Sequence, residues 1–550
     1  MKKISINILQ LWLIFALFFL LPIFFTPLLF DAFELSKYYL YIFIVLILAF
    51  LVLIQLYISK TLIVPSSSIA LVILVFGFIY ILSTLQSIDI YSSIFGNYPK
   101  IHDGLLFIAA AIFLVWIISI QLRREVTKII EILGLGLGIS VAYGASYTFL
   151  SFFNTGSFIS RQESTFGNVA FFSQAAQAEV FISLALFFTL SDRFKRLIFA
   201  FFALLSAYTV LVTGTRSVWI SFLITGLGAF LYFSKVFLGW SKKQIFMVLT
   251  VFCLSTFLIF YIFLSDRLKD LSNITVNTSQ GIRLLEWKDG INTFLNGKSL
   301  WFGSGPETLL YTYPQNRSKE LNKNPREWNF LPQNIRNVYL NYLSTIGLLG
   351  LGSYLLLVFA TTYIGFKRLD LNNRSSMFLF WILTALLAQV IANFFYNYGV
   401  FNHIYFWTLI GIIISLTNNK LYKIKLNKTF FVMLGLSWIA LFIYISRLFL
   451  SDIFFTRSLT NFNQISVVRD QIEVMTQDHL QNYLARKDLL TLEDEVYLQN
   501  SLDYAKHALG LNSKNTVIRR HLITLLALKG NLYLQKGDIE NGTNIYKQVL

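Results

Sequence analysis

The sequence predicts an all-α protein threaded many times through a membrane, and three observations predict it. Of the 550 residues, 56% are hydrophobic and only 13% charged, about half the charged share of an ordinary soluble domain. Mean hydropathy is +0.63, and Phe alone contributes 55 residues. Apolar stretches long enough to cross ~30 Å of hydrocarbon recur along the chain. Backbone in lipid must satisfy its own hydrogen bonds, which selects helices. A soluble cytosolic enzyme is excluded. The single cysteine, Cys253, excludes a structural disulfide and any cysteine-based metal site.

About twelve to thirteen spans are expected, near residues 5–30, 37–58, 66–86, 103–121, 129–153, 167–190, 196–213, 217–234, 245–264, 341–366, 376–396, 402–417 and 429–450. The first is too long for a signal peptide and lacks a small-residue cleavage site. Between the ninth and tenth spans lies a large polar loop, about 266–340. It holds Pro306, Pro314, Pro325 and Pro332, half of the eight prolines in the chain, with Trp287, Trp301 and Trp328 among them. Loops this long are functional or disordered, and the tryptophans argue for an ordered fold over the membrane. The tail, 451–550, reads as amphipathic helices. Within it Gly530, Tyr533, Gly537, Gly542, Tyr546 and Val549 sit at tetratricopeptide offsets, and the segment Tyr504–Leu509 resembles the second helix of a preceding repeat. One or two units are fewer than a solenoid needs. The pattern breaks off inside a repeat, which fits either a fragment or a tail docked on the membrane domain. The expected organisation is a membrane domain, 1–450, followed by a helical-repeat domain, 451–550.

Charge predicts orientation. With Met1 in the cytoplasm, the inside segments hold nineteen Lys and Arg against Glu125, Asp192 and Asp370, whereas the short outside links hold Lys37, Lys100, Arg161 and Arg216. That is the positive-inside asymmetry, and it places the large loop and the tail on the extracytoplasmic side. It also absorbs nearly all of the net charge of +17, so the basic balance reports topology and no nucleic-acid partner is implied.

No Walker loop, dinucleotide fingerprint, HExxH or GxSxG element is present, and the five histidines lack metal-ligand spacing. Four arginines stand out on the outer side: Arg161, Arg216, Arg283 and Arg336. Arg216 follows Thr213-Gly214-Thr215 in a tight link between two spans, where positive-inside statistics disfavour it. Two readings compete there: a side chain snorkelling to headgroups, or a guanidinium fork fixed for an anionic group such as phosphate. Arg283 and Trp287 share a helical face, as an anion site or as a structural cation–π pair. Glu179, deep in the sixth span, is a functional candidate by position, although Gln174 and Gln177 beside it suit a structural hydrogen-bond group equally.

These features, in this order, resemble the O-antigen ligase/polymerase superfamily of bacterial membrane glycosyltransferases over roughly residues 80–415. The resemblance rests on Ser83, Ser87, Ser92 and Gly96, then Arg161 with Thr165-Phe166-Gly167-Asn168, then Thr213-Gly214-Thr215-Arg216-Ser217 and Arg283 with Trp287. It continues through Gly303-Ser304-Gly305-Pro306, Asn337-Val338-Tyr339-Leu340 and Gly347-Leu348-Leu349-Gly350. It implies transfer of a glycan from an undecaprenyl-pyrophosphate donor at the outer face of the bacterial cytoplasmic membrane, to a lipid or protein acceptor in ligases and to a second lipid-linked unit in polymerases. No cofactor, nucleotide sugar or metal is implied. Carried over by position, Arg161, Arg216 and Arg283 would clamp the pyrophosphate, with Trp287, Asn337 and Tyr339 on the same substrate side.

The chain departs from the family at one place. The family often carries His-Asn before Tyr-Leu, the histidine being the candidate base, and here the pair is Arg336-Asn337. An arginine does not take a proton near neutral pH. Either Arg336 joins the anion clamp, or another group activates the acceptor, with His403 and Glu307 as the options. The leading expectation is a ligase-like transferase whose tail recruits the acceptor or a protein partner. A polymerase of lipid-linked units is the alternative. A transporter or flippase, or a scaffold without activity, are remoter ones.

Overall fold

The computed structural model describes residues 6–99, 101–155, 161–241, 243–245, 247–248, 250, 278–323, 332–370, 374–418, 420–425, 428–465 and 492–549. The chain divides into two compact units, one of residues 1–24 and 40–431, the other of residues 25–39 and 432–550.

Among the described residues ten helices are long and apolar enough to cross a membrane, and two shorter apolar helices accompany them. In chain order the elements are α1 (Ile6–Leu20), α2 (Glu34–Ser59), β1 (Thr61–Pro65), α3 (Ser68–Leu85), α4 (Ile90–Phe95), α5 (Leu105–Trp116), α6 (Val126–Thr155), α7 (Val169–Thr189), α8 (Arg193–Val212) and α9 (Arg216–Val236). After the loop entry come α10 (Ser279–Leu295), α11 (Leu309–Asn316), α12 (Lys319–Lys323), α13 (Val338–Lys367), α14 (Arg374–Ala392), α15 (Val400–Thr417), β2 (Leu421–Lys425), α16 (Lys428–Gln464), α17 (Leu492–Leu511), α18 (Thr516–Gln535) and α19 (Ile539–Val549). The protein is thus a multi-pass helical membrane protein. Twelve of the expected spans have a helix; most of the remaining one, 245–264, and Trp328 lie outside the described residues.

Polar residues at the breaks in the apolar pattern start the helices. Ser67, Asp89, Asn168, Asp192 and Asn337 each accept a backbone N–H of the first turn of α3, α4, α7, α8 and α13, satisfying donors that a helix leaves open. Helices α7 and α15 are the most enclosed. Their polar residues are paired across the bundle: Asn402 donates to Gln174 (2.9 Å), and Gln177 donates to Ser221 on α9 (2.9 Å). Glu179 is fully buried and accepts from Ser183 one turn on.

One feature departs from an all-helical reading. Thr61–Pro65 pairs antiparallel with Leu421–Lys425, Thr61 opposite Lys425 and Pro65 opposite Leu421. The Trp116 indole donates to Ile63 O (2.8 Å), and Arg123 Nε donates to Ser415 O (2.9 Å). The link residues 60–67, 117–125, 418 and 420–425 therefore meet at one end of the first unit. The residues 86–99, 101–104 and 393–399 and the loop residues 278–323 and 332–337 meet at another, through Ile88 N to Ser304 O, Gln333 Nε2 to Tyr98 O and Val338 N to Asn393 O.

In the second unit α16, α17 and α18 enclose a core of Ile465, Leu498, Leu502, Ala505, Leu525 and Leu532. Ser458 on α16 hydrogen-bonds Ser501 of α17 and His521 of α18. Helices α18 and α19 cross closely, because a Cβ at Gly530 would stand 2.9 Å from the Tyr546 ring and one at Gly542 2.7 Å from Leu534. The 25–39 segment joins this unit through Phe30 N donating to Asp452 (3.1 Å) and the Phe30 ring against Phe455.

Candidate active site

Three arginines from distant parts of the chain converge at the loop-bearing end. Helix α10 starts at Thr278, whose hydroxyl accepts from Gly281 N, and helical spacing puts Arg283, Glu286, Trp287 and Gly290 on one face. Arg336 Nη1 lies 3.2 Å from Glu286 Oε1, with Glu286 buried. The Trp287 indole donates to Arg336 O (3.2 Å), fixing the backbone beside that side chain. The Arg283 pKa is held below its ordinary value, first by burial and next by Arg336; Tyr396 and Glu286 oppose the shift, and Arg216 adds to it. Arg216 and Arg336 therefore both act on Arg283, with Glu286 as a carboxylate beside Arg283 and Arg336.

The ring beneath Arg283 is Tyr396, with the guanidinium carbon 5.7 Å from its centroid. This replaces the Arg283–Trp287 pairing expected from spacing; Trp287 instead meets Phe394 edge-on. The Tyr396 hydroxyl accepts from Asn168 Nδ2 (3.3 Å). Gly167 before it is left-handed at φ 63°, so the Thr165-Phe166-Gly167-Asn168 turn delivers Asn168 both as cap of α7 and as support for Tyr396. Arg161 is exposed at the start of that link, and among the described residues no contact joins it to the other three.

Arg216 is the first residue of α9. The turn before it is held from both sides: Thr213 is fully buried and donates to Ser173 (3.0 Å), and the Trp219 indole returns to Val210 O (2.8 Å). Gly214 at φ 65° permits the reversal. Arg216 is only partly exposed and is set by this clasp.

The Gly303-Ser304-Gly305-Pro306 turn braces α13. Helix α13 is interrupted at Gly347 (φ 73°, ψ −171°). The broken ladder is completed by the turn: Leu348 N donates to Leu300 O, Leu349 N to Trp301 O and Gly305 N to Thr345 O. Ser83 donates to Phe302 O (2.7 Å) and Ser93 to Pro306 O (2.6 Å), while Ser87 hydrogen-bonds Ser93. Of the spaced residues, Ser83 bonds the residue before this turn and Ser87 reaches it through Ser93, whereas Ser92 donates to Asp89.

The stretch from 200 to 355, which contains Arg216, Glu286, Arg283, Arg336 and the brace, matches the family model of the O-antigen ligases. This chain carries an O-antigen ligase domain. Among curated proteins none matches the chain. The domain is of a ligase- or polymerase-like membrane glycosyltransferase type.

Two remaining candidates, Glu307 inside the O-antigen ligase stretch and His403 beyond it, fall into a separate buried group. Glu307 (φ 59°) accepts from Asp103 N (2.8 Å). His403 is fully buried, its Nδ1 lying 3.5 Å from Asp103 Oδ1 and 3.1 Å from His102 O, its ring stacked on Tyr398 at 4.3 Å. Burial pushes the Asp103 carboxyl up to about 7. Asn341 joins the two groups, accepting from Ile335 N and donating to Asp103 (3.4 Å). Glu307 and His403 thus both meet Asp103. Asn337 caps α13 by accepting from Leu340 N, and Tyr339 donates to Val390 O (2.7 Å), so both side chains are engaged within the protein.

Glu286, Tyr396, Asp103 and Asn341 were not singled out by the sequence reading. Glu286 had a signal, since it stands three residues after Arg283 on a helical pattern. Tyr396, Asp103 and Asn341 had none, because their partners are remote in sequence. Among the described residues no three His, Cys, Asp or Glu side chains form a metal-holding group.

Proposed function

We propose that the protein is a glycosyltransferase that moves a glycan from an undecaprenyl-pyrophosphate donor to an acceptor at the outer face of the bacterial cytoplasmic membrane, as a ligase. The supporting observation is the convergence of Arg216, Arg283 and Arg336 within the O-antigen ligase domain. Cleaving the glycosyl–oxygen bond leaves negative charge on the diphosphate. Guanidinium groups held in place before reaction stabilise that charge without reorganising. The partial burial of the site strengthens each such contact relative to water. Arg161, exposed nearby in sequence, is assigned to the incoming glycan or headgroup zone rather than to the clamp.

The nineteen basic residues counted on the other side set the orientation, with the N-terminus cytoplasmic and the loop and tail extracytoplasmic. The helices α17–α19 belong to a tetratricopeptide-like domain that recruits the acceptor or a partner protein. A polymerase uses the same donor bond; deletion of the gene separates the two, a lost ligase leaving long polymer on the carrier and a lost polymerase leaving single units.

The test is transfer from lipid-linked glycan by the purified full chain, compared with Arg216→Ala and Arg336→His. Removing one preorganised cation is expected to slow transfer by ~10²–10³-fold. An Arg216→Ala protein with undiminished transfer removes the clamp from the mechanism. Movement of lipid-linked glycan between leaflets without a new glycosidic bond overturns the transferase reading.

A further inference from the structure

We infer that the turn of residues 299–302 is a membrane anchor, seated at the headgroup–acyl boundary of the leaflet on the loop-bearing side, with Leu300 and Trp301 inserted. The inference concerns where the loop sits and stands apart from the chemistry proposed above, whatever bond the site makes.

Helix lengths locate the boundary. Phe188 of α7, Phe233 of α9 and Trp381 of α14 pack ring against ring, and Tyr232 of α9 meets Phe366 of α13. These residues therefore share one level in the bundle. From that level α7 rises about 28 Å to Val169, α9 about 26 Å to Arg216, and the second half of α13 about 27 Å from Phe366 to Leu348. Each rise is close to the ~30 Å thickness of the hydrocarbon, and all three reach the far boundary at the same height. The interruption of α13 at Gly347 thus marks the membrane surface. Helix α3 agrees: its 18 residues span about 27 Å, and Ser83 in its last turn donates to Phe302 O.

The lipid-facing rows of these helices run into the turn. On α3 Leu74, Phe78, Ile81 and Leu85 stand exposed at helical spacing, as do Leu348, Leu355 and Phe359 on the second half of α13. Leu348 N donates to Leu300 O and Leu349 N to Trp301 O, which sets the two turn residues at the head of the α13 row. Leu300 is 45% exposed and Trp301 60%. An exposed tryptophan at this height is the side chain that bilayer interfaces favour, an apolar ring with one polar N–H. Lys298 just before it donates to Gln86 O (2.7 Å), a cation at headgroup level. Backbone at this depth needs its polar groups satisfied within the protein. The carbonyls of 299, 300, 301 and 302 accept from Gly303 N, Leu348 N, Leu349 N and the Ser83 hydroxyl in turn, and Phe302 N donates to the Ser299 hydroxyl oxygen. Helix α10 ends at Leu295, so the anchor holds the C-terminal end of the helix that carries Arg283 and Glu286 at the membrane surface.

The test uses the full chain in phosphatidylcholine–phosphatidylglycerol vesicles. Trp301 emission is isolated as the difference between wild type and Trp301→Phe. It is expected to be lost in lipids brominated near the headgroup end of the acyl chain, and to be lost less with bromine near the methyl end. A second set, in a Cys253→Ser background, carries a nitroxide at Trp301→Cys, Phe359→Cys or Glu320→Cys, the exposed Phe359 marking hydrocarbon and the exposed Glu320 of α12 marking water. The ratio of nitroxide collisions with oxygen to those with a water-soluble nickel chelate is expected to fall at 301 between the values at 359 and 320. The native ring contributes nothing to that second reading, so it stands even where Trp301→Phe alters the fold. A ratio equal to that at 320, with emission indifferent to both lipids, puts the turn in water and overturns the inference. A ratio equal to that at 359, with quenching strongest near the methyl end, overturns it by removing the boundary at Gly347. A label shielded from oxygen and chelate alike overturns it too, and assigns the patch to a second copy or another protein.

Discussion

Replacing Gly347 by alanine tests whether the interruption of α13 is what holds the 303–306 turn in place. At φ 73° and ψ −171° the backbone is in a region essentially reserved for glycine, and a side chain there costs ~1–3 kcal/mol before it touches anything. The new Cβ would stand 2.4 Å from Trp301 O, 2.5 Å from Trp301 C and 2.6 Å from Gly303 N. All three are backbone atoms and no rotamer relieves them. A carbon–oxygen contact needs about 3.3 Å, so the 301–303 strand of chain must retreat by about 1 Å. That opens Leu348 N to Leu300 O (2.9 Å), Leu349 N to Trp301 O (3.1 Å) and Gly305 N to Thr345 O (2.8 Å), each contributing about 1 kcal/mol net. Conformational and hydrogen-bond losses together come to roughly 4–6 kcal/mol. Gly352, five residues on in the same helix, is the control: a Cβ there meets nothing within 4 Å, and alanine gains about 0.5–1 kcal/mol of helix propensity. Thermal unfolding in detergent and protease cleavage within the 296–308 segment read both variants. The expectation is early melting and a cut turn for Gly347→Ala, with Gly352→Ala at or above wild type. A Gly347→Ala protein that melts with wild type and keeps the turn protected refutes the reasoning, as does equal damage from Gly352→Ala.

Two pH predictions carry opposite signs. The Asp103 carboxyl is raised from 3.8 to about 7 by burial, so the folded state holds its proton longer than the unfolded one. Stability from this group is complete below pH ~4 and declines as pH rises to about 7, by at most about 4 kcal/mol; Asp103→Asn flattens that decline in a melting series, and an unchanged slope counts against a buried neutral acid. His521 is lowered from 6.5 to about 4 by burial, so its contribution is complete above pH ~6.5 and is lost as pH falls through about 4. Partial exposure screens the effect to roughly 2 kcal/mol. His521→Gln should remove this acid limb from the hydrogen-exchange protection of α18, and retention of the limb assigns it to another group.

The spans were legible because hydrocarbon imposes one rule on every segment that crosses it, and hydropathy reads that rule locally. The arginines at 216, 283 and 336 were legible as exceptions to the charge rule, although nothing local said that they meet. What stayed hidden depends on contacts between remote segments. Arg283 lies over Tyr396 rather than Trp287 because α10 is turned by its packing on α13, which spacing along α10 does not encode. Arg161 and Asn168 travel together in sequence, yet Asn168 reaches Tyr396 and Arg161 remains at the surface. The pairing of His403 with Asp103 joins residues on opposite sides of the loop. Ser83 and Ser87 were visible in the pattern, but Ser93, which donates to Pro306 O, was not, and Ser92 serves Asp89 instead.

The small sheet between Thr61–Pro65 and Leu421–Lys425 bears on the order of assembly during synthesis. Its first strand leaves the ribosome when most of the bundle does not yet exist, and its partner arrives after nearly every helix of the first unit has been inserted. Until then the early strand presents open backbone donors and acceptors, an edge that invites wrong partners. Closing so long a loop is entropically costly unless the intervening helices have already brought the ends together. The ladder is therefore a latch fastened late, and a chain halted before residue 421 would leave its own N-terminal strand as the exposed mark of an unfinished bundle.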